Sequence, residues 1–179
     1  MRVAGIVLAA GAGTRFGGPK APFEFEGERL VDRAVRTLRE AGCDPVYTIL
    51  GAWEGHVDDC LVIVNHGWEE GMGSSLRIGL KWARAASDAD SAVVILVDQP
   101  GITATGIRRV IETPGSLVQA TYDDRPGHPV LLGKEHWQPL IDVVADDSGA
   151  RDYLAAASGL VRVDISDVCD DTDLDFRPA

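Results

Sequence analysis

The first twenty residues constrain this chain most: an apolar run that ends in a cationic, glycine-rich loop. Val3 to Ala9 is uncharged and reads as a buried strand. Leu8 to Lys20 then reads LAAGAGTRFGGPK, with Gly11, Gly13, Gly17 and Gly18 inside eight residues, Arg15 among them and Lys20 just beyond. Glycines let backbone N–H groups turn toward a ligand and approach it closely. A guanidinium and an ammonium on the same loop supply the charge that a polyphosphate needs. The stretch therefore reads as a phosphate cradle at the carboxyl end of a first strand, where open α/β sheets place ligands.

Two other glycine loops fail on specific residues. A P-loop needs G-x-x-x-x-G-K-[ST]; Gly13 to Gly18 has the spacing, but Pro19 stands where the lysine must follow, and Ala21 follows Lys20. A dinucleotide loop needs G-x-G-x-x-G/A and an acid about 20 residues on, at the end of the second strand. Phe16 fills its third glycine position, and the second strand ends Ile49-Leu50-Gly51 without an acid.

The remaining chain alternates strand and helix. Leu30, Val31, Ala34, Val35, Leu38 and Ala41 recur at helical spacing, and Gly42 ends that helix. Val46 to Leu50 and Leu61 to Val64 read as strands, while Gly51 to Cys60, with Trp53 and His56, has no assignable pattern. A helix follows Asn65, with Ser74 or Ser75 as its expected cap. Ala92 to Val97 is the most apolar strand and should be central, and it runs straight into Asp98-Gln99-Pro100. Thr103 opens a further helix, Leu117 to Tyr122 is a strand, Asp123 to Gly127 a turn, and Val130 to Leu132 returns antiparallel. Ser148 is placed to cap a helix through Leu154, and Leu160 to Ile165 forms a last strand. The expectation is one domain over residues 1–179, a three-layer α/β fold with a mostly parallel sheet.

Charge and cysteines narrow the partners. The formal net charge is −11 and there are only three lysines, Lys20, Lys81 and Lys134, so a phosphate site is a local exception. That balance argues against nucleic-acid and anionic-membrane partners. Cys43, Cys60 and Cys169 form no C-x-x-C pair, and the four histidines show no zinc spacing with them; free thiols in a reducing cytoplasm are the expectation. Arg2, the apolar run and Ala10-Gly11-Ala12 imitate a signal peptide, but the charged segment is one residue long and cleavage would destroy the loop.

LAAGAGTRFGGPK resembles the L-A-[AG]-G-x-x-x-R-x-G-x-x-K signature of MobA-like nucleotidyltransferases, most nearly the molybdenum-cofactor cytidylyltransferases. Asn65 to Leu80, NHGWEEGMGSSLRIGL, resembles that branch's N-P-x-W-x-x-G-M-x-S-S-L-x-x-G-L, with His66 for the proline. Val97-Asp98-Gln99-Pro100 resembles its G-D-Q-P, with Val97 for the glycine; Gly127-His128-Pro129-Val130 resembles G-H-P-V. Asp146 to Arg151 resembles G-D-x-G-A-R, and Asp170 to Asp175 stands where relatives read D-x-D-T-P-E-D, lacking the proline and glutamate. The likeness runs from Leu8 to about Asp175 and loosens after Gly133.

That resemblance implies a Rossmann-like sheet of the nucleotide-diphospho-sugar transferase type with one antiparallel strand. It implies transfer of a nucleoside monophosphate, CMP in preference, from a nucleoside triphosphate to a phosphate acceptor such as molybdopterin, with release of pyrophosphate. Arg15 and Lys20 would bind the triphosphate, with Leu8, Ala9, Ala10, Gly11, Gly13, Asn65, Ser74 and Ser75 as further nucleotide contacts. Asp98 would hold Mg²⁺, His128 and Arg151 would meet the acceptor, and Asp171 has a weaker claim on a metal. Ser74 and Ser75 read equally as helix caps, Trp68 and Met72 as core or lid packing, His128 as a packed loop residue and Arg151 as a solvated helix residue. CTP is expected over GTP because the cytidylyl branch reads L-A-A-G with no acid before the motif lysine, whereas the guanylyl branch reads L-A-G-G with an aspartate there; Ala10 and Pro19 match the former. Three other readings remain open at this point. One is a non-catalytic accessory protein that delivers the cofactor to a molybdenum hydroxylase, in transient contact with it. Another is a cytidylyltransferase for a sugar or methylerythritol phosphate. The third is a family branch named as a pigment oxidoreductase, for which no nicotinamide fingerprint is visible.

Overall fold

In the computed structural model, which describes residues 1–144 and 149–179, the first apolar run is strand β1, Val3–Ala9, buried at all seven positions. Its side chains alternate between two cores. Val3, Val7 and Ala9 join the cluster under helices α1 (Leu30–Glu40) and α3 (Ala104–Glu112). Ala4, Ile6 and Leu8 join the one under α2 (Met72–Ala86), α4 (Trp137–Val143) and α5 (Gly149–Ala156). A strand buried on both faces cannot alternate apolar with polar, and hence the unbroken run. Helix α2 lies close to β1 because Gly79 faces it; a Cβ there would come within 2.9 Å of Ile6 Cγ2.

The remaining strands are β2 (Glu24–Phe25), β3 (Glu28–Arg29), β4 (Val46–Leu50), β5 (Leu61–Val64), β6 (Ser91–Leu96), β7 (Leu117–Tyr122), β8 (Arg125–Gly133) and β9 (Leu160–Asp164). Among the described residues, seven strands form one sheet in the order β5-β4-β1-β6-β8-β7-β9. Only β8 runs against its neighbours, antiparallel to β6 and to β7, while the other ladders are parallel. This is the three-layer, mostly parallel fold with one antiparallel strand expected from the sequence, and β6 occupies the middle of it. β2 and β3 make a separate two-stranded ribbon.

Several local expectations are corrected. The turn expected over Asp123 to Gly127 is only Asp123-Asp124, both at positive φ, 49° and 68°. Aspartate tolerates that conformation, and two such residues make the tight turn favoured between twisted antiparallel strands. β8 therefore starts at Arg125 and carries Gly127 and His128 as strand residues. Neither Ser74 nor Ser75 caps α2: Gly71 does, at φ 106°, which a glycine adopts without strain, and no side chain completes the cap. β9 ends at Asp164, one residue before the expected Ile165. Residues 51–60 connect β4 to β5 without regular structure. Asp146, Asp147 and the cap expected from Ser148 lie outside the described residues.

Candidate active site

β1 and β6 are adjacent and parallel, so their carboxyl ends open on the same side, and the chain segments that follow them face each other across a cavity of about 540 Å³. Leu8, Ala9, Ala10, Gly11, Gly13, Arg15 and Lys20 line it from the first side and Asp98 from the second. The loop coils on itself: Gly17 and Gly18 donate their N–H groups to the Gly13 carbonyl at 2.9 and 3.0 Å. Gly13 sits at φ 61°, and a Cβ on it would lie 2.0 Å from the Gly18 carbonyl oxygen, so no larger residue fits this turn. The amides of residues 11–15 donate to nothing among the described residues, and the loop there is exposed or half-buried, so these N–H groups are open to water or to an anion. Arg15 is exposed and likewise has no partner among the described residues.

Lys20 is already engaged. Its Nζ lies 2.8 Å from Asp98 Oδ2 and 3.5 Å from Asp175 Oδ1, with the side chains of Lys20 and Asp98 only 15% and 23% exposed. The carboxyl-terminal segment adds more negative charge. Leu174 N–H donates to the Asp98 carbonyl at 2.8 Å, and Asp173 and Asp175 both line the cavity. Burial pushes the Asp173 carboxyl up from its ordinary value, and the charges of Asp98 and Asp175 add to that, against the hydrogen bond it accepts from Gln99 at 2.9 Å. Asp171 points to another use: it pairs with Arg125 at 3.3 Å. The D-x-D alternation at 171, 173 and 175 is the one sequence signal that could have singled out the two cavity carboxylates.

Among the described residues, no three His, Cys, Asp or Glu side chains are close enough to hold a metal by themselves. A Mg²⁺-like ion needs only one or two protein carboxylates, completed by substrate phosphates and water. Asp98, with Asp173 or Asp175 across from it, has the oxygen chemistry for that role.

Asn65, Ser74 and Ser75 come together as expected but mostly behind the wall. Asn65 Nδ2 donates to Ser74 Oγ at 2.8 Å and to Ser75 Oγ at 3.0 Å, and all three are buried. Ser74 Oγ in turn donates to the Gly71 carbonyl at 2.7 Å. The network fixes the start of α2 against the end of β5, and of the three only Ser75 lines the cavity. Trp68 and Met72 also form its wall, Trp68 lying against Gly51, where a Cβ would come within 2.7 Å of it.

A second cavity, of about 570 Å³, shares Leu8 and Met72 with the first. Its lining is mostly apolar, from Leu76, Val94, Val130, Leu132, Leu140 and Leu154. His128 and Arg151, the two residues assigned to the acceptor, both line it. Gln119 and Arg162 do so too; they are register partners on β7 and β9, and nothing local in the sequence marked them. The His128 ring is held down to a pKa of about 4 by burial, with the charge of Asp98 pulling the other way, so it is neutral at pH 7. The two cavities therefore adjoin as a glycine-walled half, in which Arg15 and Lys20 face the carboxylates of Glu69, Asp98, Asp173 and Asp175, and a mostly apolar half that carries Arg151 and Arg162, with Asp98 acting electrostatically on both.

An anion-ready loop after β1, a carboxylate after the central strand and an adjoining chamber for a second molecule define a nucleotide-dependent group-transfer site on an open α/β sheet. Residues 5–162 match the MobA-like NTP transferase domain, and the chain belongs to that family of nucleotidyltransferases. It is 35% identical to a protein named nicotine blue oxidoreductase from Paenarthrobacter nicotinovorans, over 97% of this chain and 92% of the relative. It is 36% identical to a probable molybdenum cofactor guanylyltransferase from Opitutus terrae, over 57% of this chain and 50% of the relative. A crystal structure of Rv0371c from Mycobacterium tuberculosis superposes with a TM-score of 0.84 at 26% identity, covering 98% of this chain and 93% of that one. All three cysteines are free, and no helix among the described residues is long and apolar enough to cross a membrane.

Proposed function

We propose that this nucleotidyltransferase transfers CMP from CTP to the phosphate of a molybdopterin-type acceptor. The observation that carries the reading is the pairing of an anion-ready loop with Asp98 across one cavity, next to an apolar chamber holding His128 and Arg151. The name of one relative, a probable molybdenum cofactor guanylyltransferase, supports a molybdenum-cofactor acceptor; against the guanosine in that name, Ala10 and Pro19 support cytidine.

In this mechanism an acceptor phosphate oxygen attacks the α-phosphorus in line and pyrophosphate leaves. A phosphate monoester is already ionised near neutral pH, so the work is positioning and neutralisation of charge. The amides of residues 11–15 and Arg15 take the β- and γ-phosphates. Lys20 exchanges Asp175 for a phosphate oxygen and stabilises the departing pyrophosphate. Asp98, assisted by Asp173 or Asp175, would hold a Mg²⁺ ion, which supplies Lewis-acid polarisation of phosphate oxygens when bound. Neutral His128 donates or accepts one hydrogen bond in the apolar chamber without adding charge, and Arg151 grips an acceptor anion.

One relative's name suggests an oxidoreductase alternative, and a dinucleotide-type nicotinamide site for it meets two obstacles in this chain: Phe16 occupies the third glycine position, and β4 ends without an acid. A thermal-shift panel tests the reading. CTP with Mg²⁺ should raise Tm more than GTP, cytidine or NAD at equal concentration, by mass action on the folded state. A shift with NAD and none with any triphosphate would reverse it.

A further inference from the structure

Arg177 lies outside both cavities, and it is exposed, yet its guanidinium stacks 5.4 Å from the centroid of Phe16 and 5.7 Å from that of Phe23. Its Nε donates to the Phe16 carbonyl at 3.2 Å. Phe16 is in the middle of the phosphate loop, next to Arg15; its ring is buried and meets Phe23 edge-on at 4.8 Å. The Phe16 carbonyl and the Gly17 N–H are the two ends of one planar peptide unit. Arg177 holds the first end, and the Gly13 carbonyl holds the second at 2.9 Å. That unit closes the turn that displays Thr14 and Arg15. Gly17, at φ 93°, brings little stiffness of its own, so the plane depends on these two bonds. The same segment is fastened on the opposite wall by the Leu174 N–H bond to the Asp98 carbonyl and the Gln99 bond to Asp173.

We propose that Arg177 is a positioning residue that clamps the phosphate loop from outside, holding Arg15 and the amides of residues 11–15 in the arrangement that receives a triphosphate. The proposal rests on the reading of that loop as the triphosphate holder. Arg177 touches no ligand in this scheme; it acts through the peptide between Phe16 and Gly17. Lysine in its place keeps a cation over the rings but lacks the guanidinium plane and the Nε donor, so it restores the function only in part.

The test uses the full chain as wild type, Arg177→Ala and Arg177→Lys, with two readouts. Hydrogen exchange without ligand reads the Gly17 and Gly18 amides, which bond to Gly13. Calorimetry reads CTP, with Mg²⁺, against cytidine. Arg177→Ala should speed exchange at those two amides by about tenfold and weaken CTP by about three- to tenfold, the scale of one stacked cation and one hydrogen bond. Cytidine binding and exchange in β1 and β6 should stay within about twofold, with Arg177→Lys between wild type and Arg177→Ala. Unchanged exchange at Gly17 and Gly18 would overturn the proposal. Equal losses for CTP and cytidine, or faster exchange throughout the sheet, would overturn it too by showing a general structural role. If wild type binds no triphosphate, the functional reading fails separately, and the exchange of Gly17 and Gly18 still decides the clamp.

Discussion

Replacing Lys20 by methionine separates the roles assigned to the loop. In the free protein Lys20 neutralises Asp98 at 2.8 Å and Asp175 at 3.5 Å, from a side chain only 15% exposed. Methionine keeps the length of the stem and removes the charge. The lost charge-assisted bond to a phosphate oxygen is worth about 1.5–3 kcal/mol, or about ten- to a hundred-and-fiftyfold in Kd. The incoming polyanion then also meets Asp98, Asp173 and Asp175 without their compensating cation, which favours the upper half of that range. Folding should suffer less, by about 1–2 kcal/mol, because the pair is intermediate between a surface and a fully buried one. A nucleoside offers the ammonium nothing to hold. Calorimetry with CTP and with cytidine should therefore show a loss of at least tenfold for the first and under about threefold for the second. Equal losses would refute the reasoning and make Lys20 a support of the loop.

Asp98→Ala should lower Mg²⁺-dependent turnover by at least about a hundredfold, measured at saturating metal, with the fold intact by circular dichroism. Ala10→Gly removes a methyl from the cavity wall and should relax the CTP preference without inverting it, since one methyl discriminates by only about 1–3 kcal/mol; kcat/KM for CTP and GTP checks this. His128 has a folded pKa of about 4 against an ordinary 6.5, so between those values the unfolded chain binds a proton that the folded chain refuses. Its contribution to stability is present above about pH 6.5 and is lost as pH falls toward 4. Urea unfolding at pH 7 and 4.5 should show wild type losing about 2–3 kcal/mol more than His128→Gln; parallel losses would mean that the ring is solvated.

The sequence made the sheet and the loop legible because both depend on local patterns. The apolar runs of β1 and β6, the helical spacing of Leu30 to Leu38 and the glycines around Arg15 each report their own conformation. The short turn at Asp123-Asp124 was less legible, because aspartate does not announce positive φ as glycine does. The expectation of a serine cap on α2 failed for a tertiary reason: Asn65 draws both serines into a buried network, which leaves the cap to Gly71. The carboxyl-terminal half of the site was hidden for the same kind of reason. Apart from the D-x-D alternation, Asp173, Asp175 and Arg177 carry no local signal of a shared role; only β9 and the segment after it bring them beside the Asp98 and Phe16 regions, more than seventy residues away from the former. Gln119 and Arg162 share a cavity only through the parallel register of β7 and β9, which no local pattern encodes.

The central claim is transfer of a cytidine monophosphate onto an acceptor phosphate, and pyrophosphate release tests it most directly. Wild-type protein with Mg²⁺ and molybdopterin carrying molybdenum is assayed with CTP and with GTP under identical conditions. The expected result is acceptor-dependent pyrophosphate release with a higher kcat/KM for CTP, abolished in Asp98→Ala. Release with GTP at equal or greater efficiency would contradict the assignment of the base, and no acceptor-dependent release with either nucleotide would contradict the transfer itself.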